Sequence, residues 1–489
     1  MPDMLVDHWP YVGWSLFAID VIVRLILAVR VIYKRSAVAD TMVWLLLLIL
    51  VPVVSWVLYT LIGGNHLGSL RTRKYEFITR PIEERSAQIW QHNQVEPEPG
   101  EGEYAHLAAL ATNVSGFPTL RGNHLELIAE PAKFLNRLVQ DIDAATHHVH
   151  LCYYIWDPDA KGTLLAEAAI RAAQRGVVCR VLVDSVGSRA LLKSELWSRM
   201  QRAGVQCVEA LPANLWRAVL ERVDLRNHRK VAVIDGRVAY CGGQNVTEHN
   251  FKSGIGGSRG PWIDATVRMV GPAVQPLQIS FLRDWAMDSS EEPADAGFLF
   301  PRSPAVGKSI VHVVPSGPGP RPDAIHQAFL SLLFAARSEI IMTTPYFVPD
   351  EATKAAILNA ALRGVDITLM VPKVTDSTLV GAAGRSYFEE LLEAGVKIYR
   401  HQRGLLHVKA MTIDQKFSMI GSANFDIRSF WLNFESTLFV YDADFTHQLR
   451  ELQHGYLEES KQVQLDSWRK RPRLAHFRDN IARLFGPLL

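Results

Sequence analysis

The sequence predicts an α/β protein of two pseudo-repeated domains, each a mixed sheet flanked by helices, preceded by an N-terminal transmembrane helical hairpin. Three observations carry this. Residues 228–245, "HRKVAVIDGRVAYCGGQN", and 407–424, "HVKAMTIDQKFSMIGSAN", have equal length and place His, Lys, Asp and Asn at the same distances. Around each copy, strand-like apolar runs alternate with amphipathic stretches, as expected of one α/β design used twice. Ahead of both copies, residues 41–64 contain no charged side chain, a run long enough to cross a hydrocarbon core.

The hairpin is expected over residues 1–66. Its first segment, "VGWSLFAIDVIVRLILAVRVIYKR", carries Asp20, Arg24 and Arg30. Asp20 and Arg24 stand four apart and can pair on one helix face, so the segment either spans or lies in the interface. The second segment, "MVWLLLLILVPVVSWVLYTLI", has Pro52 near its middle as a source of a kink. Arg30, Lys34 and Arg35 follow the first apolar run instead of preceding it, which excludes a cleaved signal peptide. Residues 67–119 read as a linker, with "NQVEPEPGEGEY" (93–104) rich in Pro, Gly and Glu.

The first α/β domain is expected over 120–288. Its strand "HVHLCYYIW" leads to the helix "TLLAEAAIRAAQRG", the strand "VVCRVLVDS", the helix "KSELWSRMQRAGV" and a strand near Val208. Residues 289–320, rich in Pro, Gly and Ser, read as an inter-domain linker. The second domain, 321–489, repeats the series with "SEIIMTTPYFV", "EATKAAILNAALRG", "VDITLMVP", "RSYFEELLEAGV" and "KIYRH". "RGV" at 175–177 recurs at 363–365, and "AGV" at 203–205 recurs at 394–396.

A net charge of +2 gives no general attraction to a polyanion, which argues against nucleic acid as a partner. The four cysteines are dispersed; Cys152, Cys179 and Cys207 sit in apolar runs and read as buried reduced thiols. No His or Cys stands at ligand spacing from them, so no metal site is predicted.

In each copy of the motif His and Lys are two apart, so on a strand both side chains share one face. An embedded Lys beside a His calls for an anion, and phosphate is the natural one. Asn245 and Asn424 would donate to its oxygens, and the small Gly243 and Ser422 would allow close approach. Asp235 and Asp414 stand at strand-to-turn junctions, where a carboxylate satisfies turn amides. Each histidine also needs a group to fix its tautomer. "WLNFE" offers Glu435 in the second half, and "GPWIDATVRM" offers Asp264 in the first.

The doubled His-x-Lys-x4-Asp with a downstream Gly-Gly/Ser-x-Asn resembles the phospholipase D superfamily. "PWIDATVRMVGPAV", "TPYFVPDE", "GLLHVKAMTID", "GSANFDIRSFWLNFE", "ARLFGPLL" and the two hydrophobic segments resemble its bacterial cardiolipin synthase branch, over about residues 10–489. The resemblance implies that His228, Lys230, Asp235, His407, Lys409 and Asp414 form the catalytic set, with the two halves facing each other. By the same analogy His228 is the nucleophile and His407 the acid and then the base. A phosphatidyl group passes from one phosphatidylglycerol to another, giving cardiolipin and glycerol, with no metal or other cofactor. The implied partners are phosphatidylglycerol and anionic membrane lipids, in a multi-pass protein of the bacterial inner membrane. The residues themselves leave open water or another alcohol as acceptor, or a non-catalytic lipid-binding scaffold, and carry no signal for an oligomeric state. The tail "WRKRPRLAHFRDNIARLFGPLL" spaces Leu474, Phe477, Ile481, Leu484 and Phe485 as on one helix face amid basic residues. It suits either an anionic lipid surface or packing on the second domain.

Overall fold

The computed structural model describes residues 9–34, 38–63, 71–78, 105–212, 222, 224–248, 252–253, 257–258, 260–289, 299–319 and 321–486. The expected linker stretch 93–104 and most of the run preceding His228 (213–221 and 223) lie outside these residues. The chain forms two compact units, Met1–Thr72 with Ala213–Asp224, and Arg73–Pro212 with Leu225–Leu489.

The described residues of the first unit include the helices α1 (Trp9–Tyr33), α2 (Val38–Leu50) and α3 (Val54–Ile62). The second hydrophobic segment is therefore not one continuous helix. Pro52 has no N–H to donate and its ring displaces the preceding turn, and Val53 adopts a left-handed φ of 61°. Asp20, inside the apolar α1, pairs with Arg24 at 2.6 Å and accepts the orphaned N–H of Val53 at 3.3 Å. Asp20, held by Arg24, thus serves the break in the neighbouring helix. No helix among the described residues is long and apolar enough to cross a membrane. Leu27, Val31, Leu48 and Tyr59 bury one another, while Leu16, Ile22, Leu25, Ile26, Leu46 and Ile49 face outward.

Among the described residues the second unit is organised by one 16-stranded sheet: two equivalent seven-stranded halves plus the short strands Arg226–Asn227 and Ser460–Gln462. The first half contributes β1 (Leu120–Ile128), β2 (His148–Tyr153), β3 (Val178–Asp184), β4 (Gln206–Ala210), β5 (Lys230–Ile234), β6 (Val238–Gly242) and β7 (Thr266–Val270). The second contributes β8 (Ser309–Ser316), β9 (Glu339–Thr343), β10 (Asp366–Pro372), β11 (Lys397–His401), β12 (Ala410–Ile413), β13 (Phe417–Gly421) and β14 (Asn433–Tyr441). Spatially the first runs β1-β7-β6-β5-β2-β3-β4 and the second β8-β14-β13-β12-β9-β10-β11, the same order twice. In each half the last three strands are parallel and the others antiparallel. The parallel pairs need crossovers, which helices supply.

Those crossovers repeat in detail. Between β2 and β3, α5 (Ala160–Gln174) begins at Asp159, whose carboxylate accepts the Gly162 N–H at 2.9 Å. Between β9 and β10, α8 (Glu351–Leu362) begins at Asp350, which accepts the Thr353 N–H at 2.9 Å. The glycines of "RGV" and "AGV" close these helices and their successors, α6 (Glu195–Arg202) and α10 (Phe388–Glu393). Gly176, Gly204, Gly364 and Gly395 have φ of 87°, 91°, 87° and 92°, the left-handed turn that glycine enters without penalty. With helices on both faces, the central strands β5 and β12 are buried throughout, which explains their unbroken apolar runs.

The halves join edge to edge where β1 pairs antiparallel with β8. Buried Asn123 pins the seam, donating to the carbonyls of Leu120 (2.8 Å) and Ser309 (3.2 Å) and accepting the Ala273 N–H (2.8 Å). Helix α7 (Val274–Asp288), buried from Val274 to Met287, packs in a core shared by both halves. Two stretches read as linker are structured. Ser309–Ser316 is the seam strand β8, and α4 (Ala105–Ser115) sets Leu107 and Ala111 into the core of the second half. Cys152, Cys179 and Cys241 are buried free thiols, whereas Cys207 is half-buried because β4 is an edge strand.

Candidate active site

Each histidine stands just before its strand, at a point where the two halves clasp. Residues Arg226–Asn227 pair in parallel with Asn433–Phe434 of β14, and the His228 N–H then donates to the Phe434 carbonyl at 2.9 Å. In mirror fashion Leu405–Leu406 pair with Trp262–Ile263, and the His407 N–H donates to the Ile263 carbonyl at 2.7 Å. This clasp carries the orienting carboxylates across. Glu435, from the second half, accepts from Nδ1 of His228 at 2.9 Å. Asp264, from the first half, meets Nδ1 of His407 at 2.6 Å. Each half therefore holds the histidine of the other, whereas the sequence offered each carboxylate to the histidine of its own half. With Nδ1–H engaged, Nε2 is the basic position of each neutral ring.

Both histidines line one cavity of about 300 Å³, together with Asn245 and Asn424. Asn245 is fixed by accepting the Ile155 N–H at 3.2 Å. The buried Oδ1 of Asn424 has no hydrogen-bond partner among the described residues. Aromatic edges wall the rings: Tyr154 lies 4.7 Å from His228 and Trp262 lies 4.8 Å from His407, centroid to centroid.

The lysines stand behind the histidines, almost wholly buried. Lys230 donates to the His228 carbonyl at 2.6 Å, and Lys409 likewise donates to the His407 carbonyl at 2.5 Å while its Nζ also lies against the His407 ring, 2.6 Å from Nδ1 and 2.9 Å from Nε2.

Gly243 and Ser422 do not line the cavity; they serve the carboxylates. A Cβ on residue 243 would come within 2.1 Å of Asp264 Oδ1, so only glycine leaves room for that side chain. At the matching position Ser422 donates to Glu435 at 2.5 Å. Asp235 and Asp414 are not in the cavity either. Each lies just past the far end of its strand, five residues and about 16 Å along from the lysine at roughly 3.3 Å per residue. Asp235 accepts the N–H groups of Thr146, His147 and His148 at 2.8–2.9 Å. Asp414 accepts those of Arg337, Ser338 and Glu339 at 2.7–3.0 Å. Both have a left-handed φ, 52° and 50°, at the turn.

Burial dominates the electrostatics. It lowers His228 to about 4 and His407 well below its usual value, and it lowers Lys230 to about 7 and Lys409 to about 8. It raises Asp264 to about 6. Each group is pushed toward its neutral form, so an anion among two lysines and two imidazoles would be strongly favoured.

Several residues at the site were not singled out in the sequence. Arg229, the middle residue of "HRK", is buried and pairs with Asp284 at 2.9 Å while its Nη1 donates to the Glu435 carbonyl at 2.8 Å. Asn433 donates to Glu435 at 3.2 Å and borders the cavity. Trp262 stands two residues before Asp264, as Asn433 stands two before Glu435, a shared spacing that places both on the carboxylate's strand face. Arg226, Arg428 and Tyr346 complete much of the lining.

A family model described as "Cardiolipin synthase, PLD-like domain" matches residues 138–254 and 329–454, one match in each half. Cardiolipin synthase A of Cronobacter sakazakii is 38% identical over 465 residues, covering 94% of this chain and 95% of that protein. The protein of the same name from Klebsiella pneumoniae subsp. pneumoniae is 38% identical over 467 residues, with the same coverage. Among solved structures, a phosphatidylserine synthase of Haemophilus influenzae superposes with a TM-score of 0.60 at 15% identity, covering 78% of this chain and all of that one, a likeness of fold.

Proposed function

Since the chain belongs to the cardiolipin synthase family of phospholipase D-like proteins, we propose that its cavity transfers a phosphatidyl group between two phosphatidylglycerol molecules. The products are cardiolipin and glycerol. The observation that carries this reading is the pair of histidines, each held by the opposite half's carboxylate, lining one cavity.

His228 Nε2 attacks the phosphorus of the first lipid while His407, which the negative charge of the bound phosphodiester draws into its protonated form against the pull of burial, gives its proton to the departing glycerol oxygen. The phosphorus–oxygen bond breaks as the phosphorus–nitrogen bond forms, leaving a phosphatidyl-histidine. The terminal hydroxyl of a second phosphatidylglycerol then passes its proton to His407 and displaces His228. We assign the nucleophile to His228 by likeness to the family, since each lysine donates to the backbone carbonyl of its own histidine and the two centres are alike in this respect. Glu435 stabilises the positive charge that His228 acquires, and Asp264 does the same for His407. Lys230, Lys409, Asn245 and Asn424 offset charge on the phosphoryl oxygens. Asp235 and Asp414 act at a distance, tying the far end of each motif strand to its neighbour.

A lipid substrate agrees with the apolar side chains that α1 and α2 turn outward, since soluble surfaces rarely carry so continuous an apolar area. We place these helices in a bacterial inner membrane, as a multi-pass anchor broken at Pro52. The test is to supply the purified full chain with phosphatidylglycerol alone and identify the products. Cardiolipin and glycerol in equal amounts are expected; phosphatidic acid without cardiolipin would overturn the choice of acceptor.

A further inference from the structure

The C-terminal helix α11 (Arg473–Arg483) is turned inside out relative to an ordinary packed helix. Its buried side is centred on a carboxylate. Asp479, 1% exposed, receives Arg385 at 3.0 Å and Arg471 at 2.5 Å, and Ala482 is buried beside it. The opposite side carries Leu474, Phe477, Ile481 and, past the last turn, Leu484 and Phe485, all exposed; Leu474 and Leu484 are 76% and 78% exposed. At about 3.6 residues per turn these form one stripe, and Arg473 and Arg478 fall on its two borders.

Arg385, which holds Asp479, ends α9 (Thr378–Arg385), and α9 belongs to the rim of the catalytic cavity. Asp376, Ser377 and Val380 line that cavity. Leu379, next to Val380, is 41% exposed, so apolar surface also stands beside the opening.

We infer that this face of α11, with Leu379 of α9, docks the mouth of the cavity onto an anionic lipid bilayer. The inference rests on the reading of the substrate as a membrane phospholipid and adds where the enzyme meets the membrane that holds it. Apolar side chains of such a helix sink about 5–10 Å into the headgroup and acyl boundary. The bordering arginines lay their stems on that surface and carry their guanidinium groups to lipid phosphates. The same arginines disfavour a second copy as the occupant, because two such faces would oppose like charges. Seated this way, the cavity opens at the depth where a lipid phosphodiester lies, so a substrate need not leave the bilayer.

The test uses the full chain with Phe477→Cys carrying a polarity-sensitive fluorophore, and the wild-type chain labelled in parallel to subtract its native cysteines. In phosphatidylglycerol vesicles the emission should shift to the blue and be quenched by a lipid bearing a quencher high on its acyl chain. In phosphatidylcholine vesicles the quenched fraction should be several-fold smaller, and Arg473→Glu with Arg478→Glu should lower it likewise in phosphatidylglycerol. A label that remains in water on phosphatidylglycerol overturns the inference. So does a blue shift without lipid that grows with protein concentration, which would assign the face to a second copy. Equal quenching in both lipids overturns the anionic preference. Insertion is read without turnover, so a protein that inserts but forms no cardiolipin fails the functional reading alone. One that forms cardiolipin with the label in water fails this inference alone.

Discussion

Glu435→Gln removes one buried negative charge while keeping the shape of the side chain, and it isolates what the crossed carboxylate does for His228. An amide oxygen at the Oε1 position can still accept from His228 Nδ1 (2.9 Å) and from Asn433 Nδ2 (3.2 Å). The amide nitrogen then faces Ser422, whose hydroxyl can rotate to accept, so the fold should hold with a melting temperature near that of the wild type. What is lost is the attraction between the carboxylate and the charge that His228 acquires on phosphatidylation. For unit charges about 4 Å apart at an effective dielectric constant of about 20, that attraction is about 4 kcal/mol. At about 1.4 kcal/mol per decade it sets a ceiling near 10³-fold, and partial screening gives an expected loss of roughly 10²–10³ in kcat. The assay is the initial rate of cardiolipin formation, with acid-quenched phospho-enzyme measured alongside. The carboxylate is also the strongest upward pull on His228, which burial holds at about 4. The nucleophile must be unprotonated, so losing that pull moves the acid limb of kcat/KM to lower pH. Phospho-enzyme forming within about threefold of the wild-type rate, far inside the ceiling above, in a folded protein, would refute the crossed arrangement as a working one.

His228→Ala and His407→Ala should each reduce cardiolipin formation to background while circular dichroism stays unchanged; appreciable turnover in either breaks the two-histidine mechanism. Asp414→Asn should cost about 1–3 kcal/mol of stability, because one amide oxygen cannot serve three N–H groups and the Ser338 hydroxyl. Burial opposes ionisation of Asp414, but those donors win and hold it below the usual carboxylate range. Its contribution is therefore present above the unfolded value near 4 and lost as pH falls through the folded one. The variant should show a shallower loss of stability on acidification, measured by denaturant titration from pH 6 downward. Arg229→Ala leaves Asp284 buried without its cation and should cost about 3–5 kcal/mol. Adding Asp284→Asn should recover part of that in the same thermal melt, and no recovery would show that the pair is not the source.

The motif residues were legible because spacing survives in sequence. His228 and His407 share a cavity, and the repeated turn glycines such as Gly176 and Gly364 mark equivalent helix ends. Glu435 and Asp264 were also legible as carboxylates near their motifs. Which histidine each would meet was not, since local spacing says nothing of which half will face it. Gly243 shows the same boundary: smallness was visible, but its cause, a carboxylate from β-structure twenty residues on, is a tertiary fact. Arg229 was hidden because an isolated cation in an apolar strand carries no pattern. Strand β8 was hidden among Pro, Gly and Ser, and α4 by its distance from either repeat. Pro52 announced a disturbance, whereas the use of Asp20 to meet it required the fold.

The exchange of carboxylates has an evolutionary corollary. If the halves descend from a duplicated gene, a single-length ancestor could have completed either centre only by pairing with a twin. Fusion would then have made that partnership permanent without changing its geometry. Since that event neither half could drift alone: a change near Asp264 is felt at a histidine 143 positions downstream, and one near Glu435 at a histidine 207 positions upstream. Covariation in this lineage should therefore run between the repeats more strongly than within them.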